Sequence, residues 1–339
     1  MRRTIEIDLE FMPYIPCSPQ GLDNMHKQAC NNDEITINTW RNIWVKNMTE
    51  NFRDYGPFHT KGVTQDYLKF KWQPVIVAGS GPSLKDNIDK IKLASDKGIP
   101  IVSCLHNYHY FIDHGIKAHA YVSLDAGDVV IDEIAEGGSR SLEDYLETTK
   151  DNKLYSFIGS PNKLHKLWKG EVLFFNSPIP DEVVKQGTDK IGVFSNWVSS
   201  GGNVLGASVY ISKGFLGANP ICFVGADFSF SYTKNFHGWD SKYDANIGHA
   251  IRATDVFGNS RLTWQSYYNF KVWTDWLCQR VKGTWINCTE GGILGAYPEG
   301  NIQDIKQMYL KDFIRMYTFY EDLVDQVKYP DKECNRVLF

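Results

Sequence analysis

The sequence is first informative for what it lacks. No run approaches the ~18 consecutive apolar residues that a membrane-spanning helix requires. The opening Met1-Arg2-Arg3-Thr4-Ile5-Glu6-Ile7-Asp8 carries no apolar signal core. These two absences predict a cytoplasmic protein without a membrane span. The 7 cysteines (17, 30, 104, 222, 278, 288 and 334) are odd in number, scattered and never spaced CxxC, so neither a zinc knuckle nor a disulfide framework is indicated. Positive charge is not in excess: 36 Lys and Arg against 40 Asp and Glu give a net charge of −4. A nucleic-acid partner, which needs clustered Lys and Arg, is not expected.

What is present is a chain of 339 residues, 42% hydrophobic and 22% charged, long enough to bury a sizeable core. Its most legible stretch runs from Pro74 to Leu84. Val75-Ile76-Val77-Ala78 reads as a buried strand, because β-branched residues suit a two-sided pleated interior. Leu84, Ile88 and Ile91 repeat at helical spacing, with Pro82 near the first turn, where its missing N–H costs nothing. Between them, Gly79-Ser80-Gly81-Pro82-Ser83 makes a strand–turn–helix junction of the kind that binds anions through free backbone amides. The turn lacks the third glycine of a dinucleotide fingerprint and the Gly-Lys-Ser/Thr of a P-loop, which disfavours an NAD domain or an ATPase. The competing reading is a plain tight turn.

Taken in order, residues 1–72 are polar and aromatic, with an apolar stripe from Glu34 to Phe52 at helical spacing, and read as an N-terminal helical arm. Strands are expected at 75–78, 99–104, 118–124, 153–158, 172–175, 220–227 and 284–288. Helices are expected at 84–95, 108–114, 141–149, 161–168, 202–213, 263–282 and 302–326, with a long loop over 228–262. Strands alternating with helices predict an α/β fold, a Rossmann-like three-layer α/β/α sandwich around a mostly parallel sheet. Residues 73–300 form that domain, with a C-terminal helical tail over 301–339.

Ligands in such folds sit outside the carboxyl ends of the strands, and the polar residues gather there. Ser80 and Ser83 can hydrogen-bond a phosphate or ribose, or simply cap a helix. Asn107 follows the second strand. Asp125 ends the third, where a carboxylate can hold a ribose hydroxyl or Mg²⁺, with Asp128 close enough in sequence to share an ion. Ser199-Ser200-Gly201-Gly202 opens a helix and offers a second nest of amides. Asp227 ends the sixth strand, and Thr289-Glu290-Gly291 follow the last one, where backbone groups can meet a base. His237 and His249 lie in the long loop, and a histidine can deprotonate an acceptor hydroxyl near neutral pH.

Several of these segments together resemble the MptE-like domain family, which includes archaeal 6-hydroxymethylpterin diphosphokinases and the motility-associated factors that glycosylate flagellin. They are Val75–Leu84, Ile116 to Asp125, Phe223 to Asp227, and Ile286 to Gly295. Ser123-Leu124-Asp125 and Asn287-Cys288-Thr289-Glu290-Gly291-Gly292 are more similar to the motility-factor branch. A more distant resemblance is to bacterial CMP-sialic-acid-dependent sialyltransferases, through Gly79–Ser83, Ser199–Gly201, Gly225–Ser229 and Ile247-Gly248-His249. Ser229 stands where those enzymes carry a phosphate-binding Tyr, and Ser80 replaces an Asn. The resemblance implies a sialyltransferase-like fold and a nucleotide-dependent transferase, glycosyltransferase-like, with a nucleotide-sugar donor of CMP type and an unspecified acceptor. The catalytic base would be His249 or His237. The alternative is a Mg-dependent diphosphokinase with Asp125 and Asp128 as metal ligands; a third reading is a nucleotide- or sugar-binding module without catalysis.

Overall fold

The computed structural model describes residues 19–58, 61–190, 196–231, 250–297 and 300–317. The chain begins with a helix of 37 residues, α1 (Pro19–Tyr55). There follow β1 (Val75–Ala78), α2 (Leu84–Asp96), β2 (Ile101–Cys104), α3 (Tyr108–Asp113), β3 (Ala120–Ser123), α4 (Val129–Asp132), α5 (Leu142–Thr148), β4 (Leu154–Phe157), α6 (Asn162–Leu167), β5 (Val172–Phe175) and α7 (Glu182–Lys190). The second half adds α8 (Val204–Tyr210), β6 (Ile221–Val224), the hairpin β7 (Ala250–Thr254) and β8 (Ser260–Trp264), and α9 (Gln265–Arg280). It continues through β9 (Trp285–Asn287), β10 (Ala296–Tyr297), β11 (Gly300–Asn301) and β12 (Ile305–Gln307) to a helix at 310–317.

Eight strands form one sheet in the order β12-β9-β6-β1-β2-β3-β4-β5. Every pairing in it is parallel. Because both faces are covered, strand residues alternate between two cores rather than between core and water. Val75 and Val77 join one core with α1, α7, α8 and α9; Ile76 and Ala78 join the other with α2 to α6 and residues 310–317. The chain steps outward from β1 to β5, then returns to lay β6, β9 and β12 on the other side of β1. With right-handed crossovers, that reversal moves the connecting helices to the opposite face. It also opens a crevice between β1 and β6, where ligands of doubly wound sheets sit.

The α/β architecture and its seven expected strands match the sequence reading; α4, α7, β10 and β11 are additions to it, and other assignments change. The helix expected over 302–326 begins instead with β12, which pairs with β9 as the sheet edge; helix follows at 310–317, and 318–326 lie outside the described residues. The loop over 228–262 contains β7, and β7 and β8 pair antiparallel from Ala250↔Trp264 to Thr254↔Ser260. Pairing through 264 delays α9 to Gln265. The helix expected over 202–213 begins at Val204 and changes to a π-helical turn over Ile211–Phe215.

The α1 arm is bound by side chains that read main-chain carbonyls. Asn47 Nδ2 donates to Ala126 O at 3.0 Å and Gly159 O at 2.9 Å. Asn51 Nδ2 donates to Ile158 O and Ser160 O, both at 2.8 Å. Asn51 Oδ1 is 2.9 Å from His165 Nδ1, whose Nε2 is 2.8 Å from Ser156 Oγ. A serine, histidine and asparagine so arranged resemble a hydrolytic triad, but all three are buried and none lines the cavity at the carboxyl ends of the strands. Burial lowers the His165 pKa to about 3, so the ring stays neutral and serves as a structural strut.

Candidate functional site

The carboxyl ends of β1 and β6 approach each other through glycines. Gly79 N donates to Val224 O and Gly81 N to Gly225 O, both at 2.9 Å. A Cβ at Gly79 would stand 2.5 Å from Gly225 O, and one at Gly81 would stand 2.7 Å from the same oxygen and overlap the Asp227 carboxylate. The glycines of the turn are therefore demanded by the neighbouring strand end. A ligand is not needed to explain them.

Asp227 takes the place at the start of α2 that the sequence offers to an anion. Ser83 Oγ donates to Asp227 Oδ2 at 2.7 Å, and Ser83 N lies 3.3 Å from both carboxylate oxygens. Asp227 is 6% exposed. Burial pushes its pKa up to about 7, against the pull of the Ser83 bonds and the charge of Arg261. With the amides of Gly79, Gly81 and Ser83 so engaged, Ser80 is the residue of the turn that carries donors not used within the protein among the described residues.

A cavity of about 220 Å³ opens beside this turn, at the carboxyl ends of β1, β2, β3 and β6. Gly79, Ser80, Gly81, Asp125 and Asp227 line it, as the sequence places them. So do His106, Glu133 and Asn203, and two aromatic residues of α9, Tyr267 and Phe270. Asp125 is open to water through the cavity, yet the surrounding protein still raises its pKa. Glu133, half-buried, has its carboxyl pushed up to about 8, by burial first and then by the charges of Asp125, Glu136 and Asp132. The Tyr267 phenol is raised by burial and by Asp125 and Glu133. His106 Nε2 stands 3.3 Å from Glu136 Oε2. Cys104, also on the cavity wall, has its thiol pushed up to about 12 by burial and is no nucleophile.

Other candidates stand outside the cavity lining. Ser83 serves Asp227, and Pro82 does not face the cavity. Asn107 is fully buried and donates to Ala78 O, Gly79 O and Ser103 Oγ at 3.3, 3.1 and 3.0 Å, fixing the end of β1. Asp128 is exposed just before α4 and does not share the cavity with Asp125. Ser199, Ser200, Gly201 and Gly202 shape the approach to α8: Ser200 Oγ accepts from Gly202 N at 3.2 Å, and Gly201 lies against Trp273. It is Asn203, capping α8 by accepting from Gly206 N at 2.8 Å, that reaches the cavity.

Thr289 Oγ1 accepts from Ala226 N at 3.2 Å, tying β6 to the segment after β9. Glu290 holds Lys90 Nζ at 2.9 Å and accepts from Leu310 N at 2.9 Å, and neither it nor Gly291 lines the cavity. His237 and His249 lie outside the described residues.

Glu133, Tyr267 and Phe270 carry no motif. Only their places, after β3 and on one face of α9, connect them with the site.

The pattern that defines the family described as 6-hydroxymethylpterin diphosphokinase MptE-like matches residues 45–233, more than half of the chain. The match begins inside α1 and runs past β6, so it takes in both strand ends that close on the glycine turn. The solved structure of a MAf glycosyltransferase from Magnetospirillum magneticum AMB-1 superposes with a TM-score of 0.56 at 14% identity, over 78% of this chain and 41% of that one. Identity this low shows a shared fold, and this chain spans about two-fifths of that neighbour's length. No curated protein matches the chain.

Proposed function

We propose, on the premise that this chain belongs to the 6-hydroxymethylpterin diphosphokinase MptE-like family, that it is a transferase acting on a nucleotide substrate. The nucleotide occupies the cavity at the carboxyl ends of β1, β2, β3 and β6. In the reading favoured here, the donor is a nucleotide-activated sugar, CMP-linked, and the activity is that of a glycosyltransferase. The observation that carries this is the cavity itself. It lies at the crevice beside the strand-order reversal and combines aromatic rings, Tyr267 and Phe270, with polar groups of the kind that hydrogen-bond sugars, Ser80 and Asp125.

In that reaction the acceptor oxygen forms a bond to the donor's anomeric carbon as the bond from that carbon to the nucleotide phosphate breaks. The acceptor's proton goes to His249 or His237, and the leaving phosphate meets Ser80. Titration by each of CMP, UDP, GDP and ATP, with and without Mg²⁺, tests the reading through thermal stabilisation. A ligand at about 100 times its Kd adds ~2.7 kcal/mol. Stabilisation by CMP without metal supports the reading, and its absence with every nucleotide removes it.

The family's description and the cavity's acids favour one second reading, transfer of diphosphate from ATP to a hydroxymethylpterin-like acceptor. Mg²⁺ is commonly held by one or two carboxylates together with substrate phosphates. Asp125 and Glu133, the first of which raises the proton affinity of the second, fit that role chemically. Mg²⁺ would supply charge neutralisation of the triphosphate. Stabilisation by ATP only in the presence of Mg²⁺ selects this reading over the first.

A further inference from the structure

Three polar groups of the cavity are unmatched by the protein around them. Neither the Asp125 nor the Glu133 carboxyl is hydrogen-bonded or ion-paired to another described residue; desolvation by the surrounding protein acts on both, and Glu133 also feels the charges of Asp125, Glu136 and Asp132. Ser123, the last residue of β3, also lines the cavity, is 1% exposed, and its Oγ has no hydrogen-bond partner among the described residues. A buried hydroxyl without a partner is uncommon, because the lost bonds to water go uncompensated. Its occurrence beside two unpaired carboxyls points to a partner supplied by a ligand.

The chemistry of that partner can be narrowed. No Lys or Arg lines the cavity among the described residues, so the part of it beside the two acids does not suit a phosphate, which is left to the turn at Ser80. Among the described residues, no group of three or more His, Cys, Asp and Glu side chains converges as a metal shell. A neutral group rich in hydroxyls, each of which both donates and accepts, fits all three. With its raised proton affinity, Glu133 donates from its protonated form while a carboxylate accepts, and Ser123 does either.

We propose that Ser123, Asp125 and Glu133 form a subsite for the vicinal diol of the nucleotide's ribose, so that the protein selects ribonucleotides over 2′-deoxyribonucleotides. The inference rests on the nucleotide reading given above. It deepens that reading by placing the sugar on β3 and the segment after it, beside the aromatic residues of α9.

Calorimetric titration of the full chain with CMP and with 2′-deoxy-CMP tests it. The deoxy ligand is expected to bind about 10-fold or more weakly, the size of one lost hydrogen bond to a charged group. In Asp125→Asn and Ser123→Ala the preference is expected to shrink toward parity, while Glu133→Gln, which still donates, keeps most of it. CMP and 2′-deoxy-CMP binding equally to the unaltered protein overturns the subsite and leaves the nucleotide reading standing. Failure of CMP, UMP, AMP and GMP alike to bind overturns both. The comparison on the unaltered chain does not depend on whether any variant folds.

Discussion

Ser83 Oγ donates to Asp227 Oδ2 at 2.7 Å across a sequence separation of 144 residues, with both carboxylate oxygens 3.3 Å from Ser83 N. A carboxylate of the protein thus sits at the start of α2, where helix amides favour negative charge. The turn that most suggests a phosphate site is, to that extent, already satisfied. It locks β6 to β1 and forms one side of the cavity.

Asp227 makes stability depend on pH in a stated direction. Its carboxyl titrates near 3.8 in an unfolded chain and at about 7 in the fold, because burial outweighs its hydrogen bonds. Between those values the native state keeps a proton that the unfolded state has released, so stability falls as pH rises and levels off above the folded value. Its share of the slope is at most about 1.4 kcal/mol per pH unit. Urea midpoints followed from about pH 4 to 8 should fall less steeply in Asp227→Asn than in the unaltered protein. Equal slopes would show that Asp227 ionises as freely when folded.

Gly81→Ala should destabilise by about 1–3 kcal/mol, the range of forced overpacking. The new methyl would meet Gly225 O at 2.7 Å and the Asp227 carboxylate, both held in place by strand and turn. Gly187→Ala is the contrast, since its Cβ would make an ordinary 3.5 Å contact with Val45 inside α7. Removing a helical glycine there should leave stability equal or higher by about 0.5–1 kcal/mol. Guanidinium unfolding of both variants reads the difference.

Lys271 and Asp275 form a fully buried ion pair on α9, 2.7 Å apart. Lys271 Nζ also donates to Ala296 O at 2.6 Å and sits 3.5 Å from the centre of the Tyr297 ring. Lys271→Met leaves Asp275 buried and uncompensated, and should cost about 3–5 kcal/mol. Replacing both, as Lys271→Met with Asp275→Leu, should cost less than the single change. A double variant weaker than Lys271→Met would mean that the pair contributes more than mutual neutralisation.

Asn51→Ala strips Ile158 O and Ser160 O of their 2.8 Å donor and His165 Nδ1 of its partner. Each buried group left unmatched costs about 1–3 kcal/mol. The expected result is a lower melting temperature with the cavity's nucleotide affinity retained, since no cavity-lining residue is altered. Loss of affinity without loss of stability would contradict the division between clamp and site.

How much was legible follows from which interactions are local. β1 reads correctly to the residue because a short β-branched run is bounded by proline and glycine, and both of its faces are buried. The convergence of Ser80, Asp125 and Asp227 was also readable, since a parallel sheet delivers successive strand ends to one edge. Strands of two or three residues such as β10, β11 and β12 were not, because their pairing is supplied by partners rather than by sequence. The turn's amides could not be assigned either: the pattern is the same whether they meet a phosphate or an aspartate far along the chain. Glu133 escaped notice because an acid on a short helical segment usually faces water. Asn47 and Asn51 escaped because polar residues on a long helix usually face water as well.

The asparagine clamp of α1 also decides where the polypeptide can be divided. A cut between Gln73 and Pro74 would strip the carbonyls of Ala126, Ile158, Gly159 and Ser160 of their donors and uncover the side chains that pack around Met48. The sheet with its helices is therefore expected not to fold when excised, and a stable piece should include the carboxyl-terminal half of α1. A fusion partner belongs upstream of that helix; placed between helix and sheet, it would wedge apart one continuous core.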